Sequence, residues 1–183
     1  MSTAHDSTNG FTVADAIAGL RSGDFSRLAP LFGPATDDAD DAAAVPIIDW
    51  CASGAFDAAP DALAEALTCA SFLGRTRVIA YLLDRGVDVA AGRATGLDAL
   101  HWAVNRGQLA AVRLLVERGA PLETRSRYGG TALGTAAWSA VHEPRAGHLA
   151  VIALLLEAGA KADAVERPTG NAAVDALLAR HQP

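Results

Sequence analysis

Apolar residues recur along this chain three and four positions apart, in short stretches closed by glycine, which is the helical rather than the strand period. Three stretches share one ending, two apolar residues, an acid, any residue and glycine: Leu82-Leu83-Asp84-Arg85-Gly86, Leu115-Val116-Glu117-Arg118-Gly119 and Leu155-Leu156-Glu157-Ala158-Gly159. The first two glycines lie 33 residues apart and the next two 40 apart, and Gly74, Gly107 and Gly147 repeat both intervals. Ala70, Ala103 and Ala136 keep 33 and 33, so seven extra residues fall between Ala136 and Gly147. Each unit predicts two short helices. In the second, Asp98 caps a helix to about Arg106 that Gly107 ends, and another follows from about Leu109 to Arg118, with Val112, Leu115 and Val116 on one face. Such a pair cannot bury its apolar face alone, so neighbours must stack. The equivalent positions Leu100, Ala103, Val112, Leu115, Leu133, Ala136, Ile152 and Leu155 are the expected core.

The run Gly96-Leu97-Asp98-Ala99-Leu100-His101-Trp102-Ala103-Val104-Asn105-Arg106-Gly107 resembles the ankyrin pattern G-x-T-P-L-H-x-A-A-x-x-G, and Gly129-Gly130-Thr131-Ala132-Leu133-Gly134-Thr135-Ala136-Ala137 resembles it again. The Gly-Ala tails at 119–120 and 159–160 fit as well. Alanine stands for proline at 99 and 132, and glycine for histidine at 134, departures that loosen individual turns. The resemblance implies an all-α ankyrin-repeat solenoid of stacked antiparallel helix pairs with short hairpin tips. The expected organisation is a disordered tail over 1–10, irregular capping helices over 11–60, repeats over 61–168 with the insertion, and a C-terminal capping repeat over 169–183 capped by Asn171. It also implies that His101 ties one turn to the next repeat, that His148 opens a second helix, and that Trp102 and Cys69 pack between neighbouring helices. Phe72, Asn105 and Trp138 then form a ladder along the concave face, beside the tip positions Ala94, Thr95, Leu97, Arg127, Tyr128 and Gly130.

Composition narrows the functional class. The net charge is -6, but residues 1–60 hold -7 of it, around Asp37, Asp38, Asp40 and Asp41, and residues 61–183 are near neutral at +1. No basic stripe is available for phosphate contacts, which argues against nucleic acid and an anionic membrane as partners. Aromatic residues are 5% and alanine is abundant, a composition for closely packed helices. Cys51 and Cys69 sit in apolar stretches and read as buried reduced thiols. With no signal pattern and no run long enough to span a bilayer, a cytoplasmic protein is expected. Fourteen arginines against the single Lys161 point to a GC-rich bacterial source.

Catalytic motifs are absent: no G-x-S-x-G elbow, no phosphate loop and no H-E-x-x-H. His142-Glu143 has no second ligand at metal spacing, and His5 and His181 lie in the tails. No enzyme activity, metal or cofactor is expected. The expected function is a module that binds a protein or peptide through the concave groove and the insertion after Trp138, using Phe72, Thr95, Leu97, Asn105, Arg106, Arg127, Tyr128, Trp138, His142, Glu143 and Arg145. Trp, Tyr and Arg are the residue types that dominate binding energy at interfaces. The alternatives are a small-molecule-binding protein or enzyme whose pocket is formed by Trp102, Trp138 and His142, and a repeat that only oligomerises.

Overall fold

The computed structural model describes residues 7–8, 10–34 and 44–181. The acidic stretch with Asp37, Asp38, Asp40 and Asp41, and the tail with His5, lie outside the described residues. Ten helices follow one another among the described residues: α1 (Val13–Ser22), α2 (Phe25–Leu28), α3 (Pro46–Ala52), α4 (Pro60–Leu73), α5 (Thr76–Asp84), α6 (Ala99–Asn105), α7 (Leu109–Glu117), α8 (Ala132–His142), α9 (His148–Glu157) and α10 (Ala172–Arg180). Four of the ten starts follow from side-chain caps. Asp98 accepts from the His101 amide, Thr131 from the Gly134 amide, and Asn171 from the amides of Ala173 and Val174. Thr12 and Asp15 cap α1 reciprocally.

The helices form two layers. An inner layer runs α4, α6, α8, with α1 and α2 packed against α4, and an outer layer α3, α5, α7, α9, each inner helix of the regular repeats folding back onto its outer partner. α10 closes the far end against α9. Between pairs the chain extends into fingers, and each finger is tied to the next: the Arg127 amide donates to the Gly96 carbonyl at 2.9 Å and the Lys161 amide to Glu123 at 3.0 Å. Leu100, Ala103, Val112, Leu115, Leu133, Ala136, Ile152 and Leu155 are all buried. They belong to one core continuous from Ala16 to Leu178, the quasi-one-dimensional packing that stacked repeats require.

Two local features depart from a uniform array. The segment expected as a disordered tail, 1–10, holds the first strand of a short hairpin, β1 (Ser7–Thr8), paired antiparallel with β2 (Phe11–Thr12) just past it. Its cause is legible: Asn9-Gly10 is a strong two-residue hairpin signal, and Gly10 sits at φ +79°. The second departure is the insertion. It lengthens α8 to 11 residues against 7 for α6. The helix stops at Glu143, whose φ of -134° and ψ of 57° are non-helical because Pro144 crowds the residue before it.

Candidate functional site

The inner face is not one continuous groove. At its N-terminal half, the chain's own first helices lie on it. Phe25 of α2 is buried with its ring 5.8 Å from Phe72 and 6.1 Å from Trp102, and Phe72 meets Trp102 edge-on at 5.1 Å. Arg106 lies over the Phe72 ring at 4.6 Å, so its planar cation finishes the cluster. The finger-tip Thr95 hydroxyl accepts from the Trp102 indole at 2.9 Å, and the turn at Gly23 presses on the Thr95 methyl. Phe72, Thr95 and Arg106 are therefore held in an intramolecular cluster. The expected ladder of Phe72, Asn105 and Trp138 is broken at its first rung, because an N-terminal segment with no repeat spacing folds onto it.

At the C-terminal half the face is open. Tyr128 is 76% exposed and Trp138 52%, the two most exposed large apolar side chains among the described residues. Both line a concavity of about 720 Å³ together with Leu97, Asn105, Val141 and His142. Its far wall is the last finger, through Val165, Glu166, Pro168 and Thr169. Trp138 stacks on His142 with ring centroids 4.6 Å apart and planes 15° from parallel. The His142 Nδ1–H donates to the Trp138 carbonyl at 2.9 Å, which locks the pair at the end of α8. Asn105 is partly committed, donating from Nδ2 to Ser139 Oγ at 3.0 Å.

Of the residues singled out from sequence, Leu97, Asn105, Tyr128, Trp138 and His142 meet at this concavity. Leu97 is only 9% exposed and contributes an edge rather than an anchor. Arg127, Glu143 and Arg145 are exposed outside the lining, and Arg127 lies against Gly96 of the preceding finger. The pocket expected from Trp102, Trp138 and His142 does not form as such, since Trp102 belongs to the Phe25 cluster. Sequence reasoning missed Val165, Glu166, Pro168 and Thr169, which follow no repeat position. Glycine at 134 is visible in the sequence, but that this position borders open space is not.

The insertion is anchored from below. His148 is buried; its Nδ1 accepts the Arg145 amide at 3.1 Å, so its Nε2–H donates to the Asn105 carbonyl at 3.0 Å. Gly147 packs so closely on Gly107 that a Cβ there would clash with the Gly107 carbonyl oxygen. One repeat earlier, buried His101 bridges Asp98 Oδ1 at 2.7 Å and the Gly130 carbonyl at 3.1 Å. Burial pushes the Asp98 carboxyl up, but hydrogen bonds from His101 and the charges of His101 and Arg93 outweigh it and hold it below its ordinary value.

The thiols are far from nucleophilic. Burial pushes Cys51 up to about 11 and Cys69 well above its ordinary value, and both are free and buried. Among the described residues no group of three or more His, Cys, Asp or Glu could hold a metal, and no helix is long and apolar enough to cross a membrane.

Stacked antiparallel helix pairs joined by tied fingers define a helical-repeat solenoid. A family model of ankyrin repeats in three copies matches residues 67–166, more than half of the chain, and the protein belongs to the ankyrin-repeat family. The fold is similar to that of an ankyrin repeat domain from Acinetobacter baumannii AYE, with a TM-score of 0.58 and 20% identity over 91% of this chain and 96% of that one. Ankyrin repeats are generally protein–protein interaction modules.

Proposed function

We propose that this protein binds a protein or peptide partner through the C-terminal half of its inner face. The observation that supports the reading is that Tyr128 and Trp138, the most exposed large apolar side chains among the described residues, border the same concavity. Rigid aromatic rings on a fixed scaffold are the usual anchors of interfaces, because they supply area at little conformational cost. Leu97, Asn105 and His142 complete the surface, and Arg127, Glu143 and Arg145 lie beside it as rim charge. No thiol nucleophile is part of this reading, since both thiols are buried.

A second reading is a small-molecule site, favoured by a volume within the roughly 300–1,000 Å³ of ligand pockets. Affinity capture from the native host with wild type and Trp138→Ala separates the two. Loss of an anchor residue is expected to weaken partner retention by a factor of about 30 or more, with melting unchanged. An unchanged set of captured proteins would overturn the docking reading.

A further inference from the structure

The open space at the C-terminal half traces to one position. Gly134 in α8 stands 33 residues after His101 in α6, the same place in the next repeat. His101 fills the space between its own helix and the following finger, bonded to Asp98 on one side and the Gly130 carbonyl on the other. At 134 there is no side chain to do this. A Cβ there would meet only Thr131 Oγ1, at 3.6 Å, so the backbone leaves room. Gly134 and Thr135 thereby become lining, facing Val165, Pro168 and Thr169 of the last finger across the cavity.

The lining has a definite chemical character. Trp138 stacks on His142 yet keeps about half its surface exposed where it lines the cavity, and Tyr128 supplies a second electron-rich ring. Among the described residues that line the cavity, Glu166 carries the one formal charge, and it is negative. Three nearby arginines are engaged elsewhere, Arg106 over Phe72, Arg125 on the Gly129 carbonyl at 2.6 Å and Arg93 on the Arg125 carbonyl at 2.9 Å, while Arg127, Arg145 and Arg167 are exposed outside the lining. Ring faces attract cations through their quadrupole, and a carboxylate adds the complementary charge.

We propose that this cavity receives an arginine side chain of the partner polypeptide, an assignment that rests on the docking reading above. A guanidinium is flat enough to stack on the indole while its fork of N–H donors stays in the ring plane to meet a carboxylate bidentately, a geometry that a lysine ammonium, a compact point charge, does not share. The volume exceeds one side chain, so the flanking backbone of an extended segment also fits against Tyr128 and Val165.

The test uses the full chain and a blocked pentapeptide, acetyl-Ala-Ala-Arg-Ala-Ala-amide, with matched citrulline and glutamate peptides. NMR shifts of the Trp138 indole N–H and the Gly134 amide report binding. The arginine peptide is expected to shift both signals and the glutamate peptide neither. Citrulline, which keeps the shape without the charge, is expected to bind about fivefold more weakly, and Glu166→Gln to remove that difference. Gly134→Leu is expected to abolish the shifts while melting stays at or above the wild-type temperature. Absence of an arginine-dependent shift, or equal binding of arginine and citrulline, overturns the proposal. If that happens while Trp138→Ala still abolishes capture, the docking reading stands without it. Arginine binding at Gly134 with capture indifferent to Trp138 would instead sink the docking reading, and with it the assignment of the arginine to a partner polypeptide, leaving only an arginine site.

Discussion

Phe72 and Trp138 occupy the same place in the repeat, two repeats apart, and meet opposite fates. Phe72 packs among Phe25, Trp102 and Arg106, whereas Trp138 stacks on His142 and keeps half its surface in water. The helices beneath them are alike; the difference lies in what packs on top. At one end α1 and α2 press Phe25 and Gly23 onto the inner face. At the other, the last finger stands off across a cavity that Gly134 leaves unfilled. Register in a repeat array sets where a side chain starts, and neighbouring elements decide whether it is core or binding surface.

The largest expected effect sits on the filled side. Phe25→Ala should cost about 3–5 kcal/mol in denaturant melts, as the removal of a buried phenyl ring does. Trp138→Ala, made at an exposed position, should stay within about 0.5 kcal/mol. Equal losses would erase the contrast between the two halves. Gly147→Ala comes next, at about 1–3 kcal/mol, because the new methyl group meets the Gly107 backbone and not a flexible side chain. A wild-type melt for that variant would mean that the insertion is not pinned there.

The smallest effect concerns Glu65, under the finger that holds Thr95. It is buried, accepts the Ala94 amide at 2.9 Å through Oε1, and its Oε2 has no hydrogen-bond partner. Burial raises its pKa above the ordinary 4.5, with Asp61 adding to the rise. A raised folded-state pKa means a contribution that is fully present below 4.5 and is lost as pH rises through the folded value. Glu65→Gln should therefore flatten the fall in melting temperature on going from acid to neutral pH. An unchanged slope would place the pH dependence elsewhere. Asp98 works in the opposite sense, its stabilisation being present above the ordinary 3.8 and lost as pH falls.

Much of this architecture was legible in the chain. The 33-residue spacing located the repeats, Asp98 and Thr131 announced helix starts, and the apolar positions in register are the core. Trp138 and Tyr128 could be read as surface aromatics because the repeat assigns them a face. The filled half could not be read in the same way, since Phe25 has no period and reaches Phe72 only through the tertiary turn at Gly23. The cavity was half legible. Glycine in place of histidine at 134 is visible in the sequence, but its consequence depends on where Val165, Glu166 and Pro168 come to rest. The hairpin at Ser7–Thr8 carried its signal in Asn9-Gly10, which repeat spacing does not register.

Hydrogen exchange of the tryptophan indole N–H groups, followed by NMR in the full chain, tests most directly whether one half of the inner face is filled and the other open. The Trp102 indole donates to Thr95 beneath Phe25, and Trp138 stands half in water. The expected result is slow exchange at Trp102 and fast exchange at Trp138. Exchange at Trp102 as fast as at Trp138 would contradict it, because the N-terminal helices would then not cover the inner face.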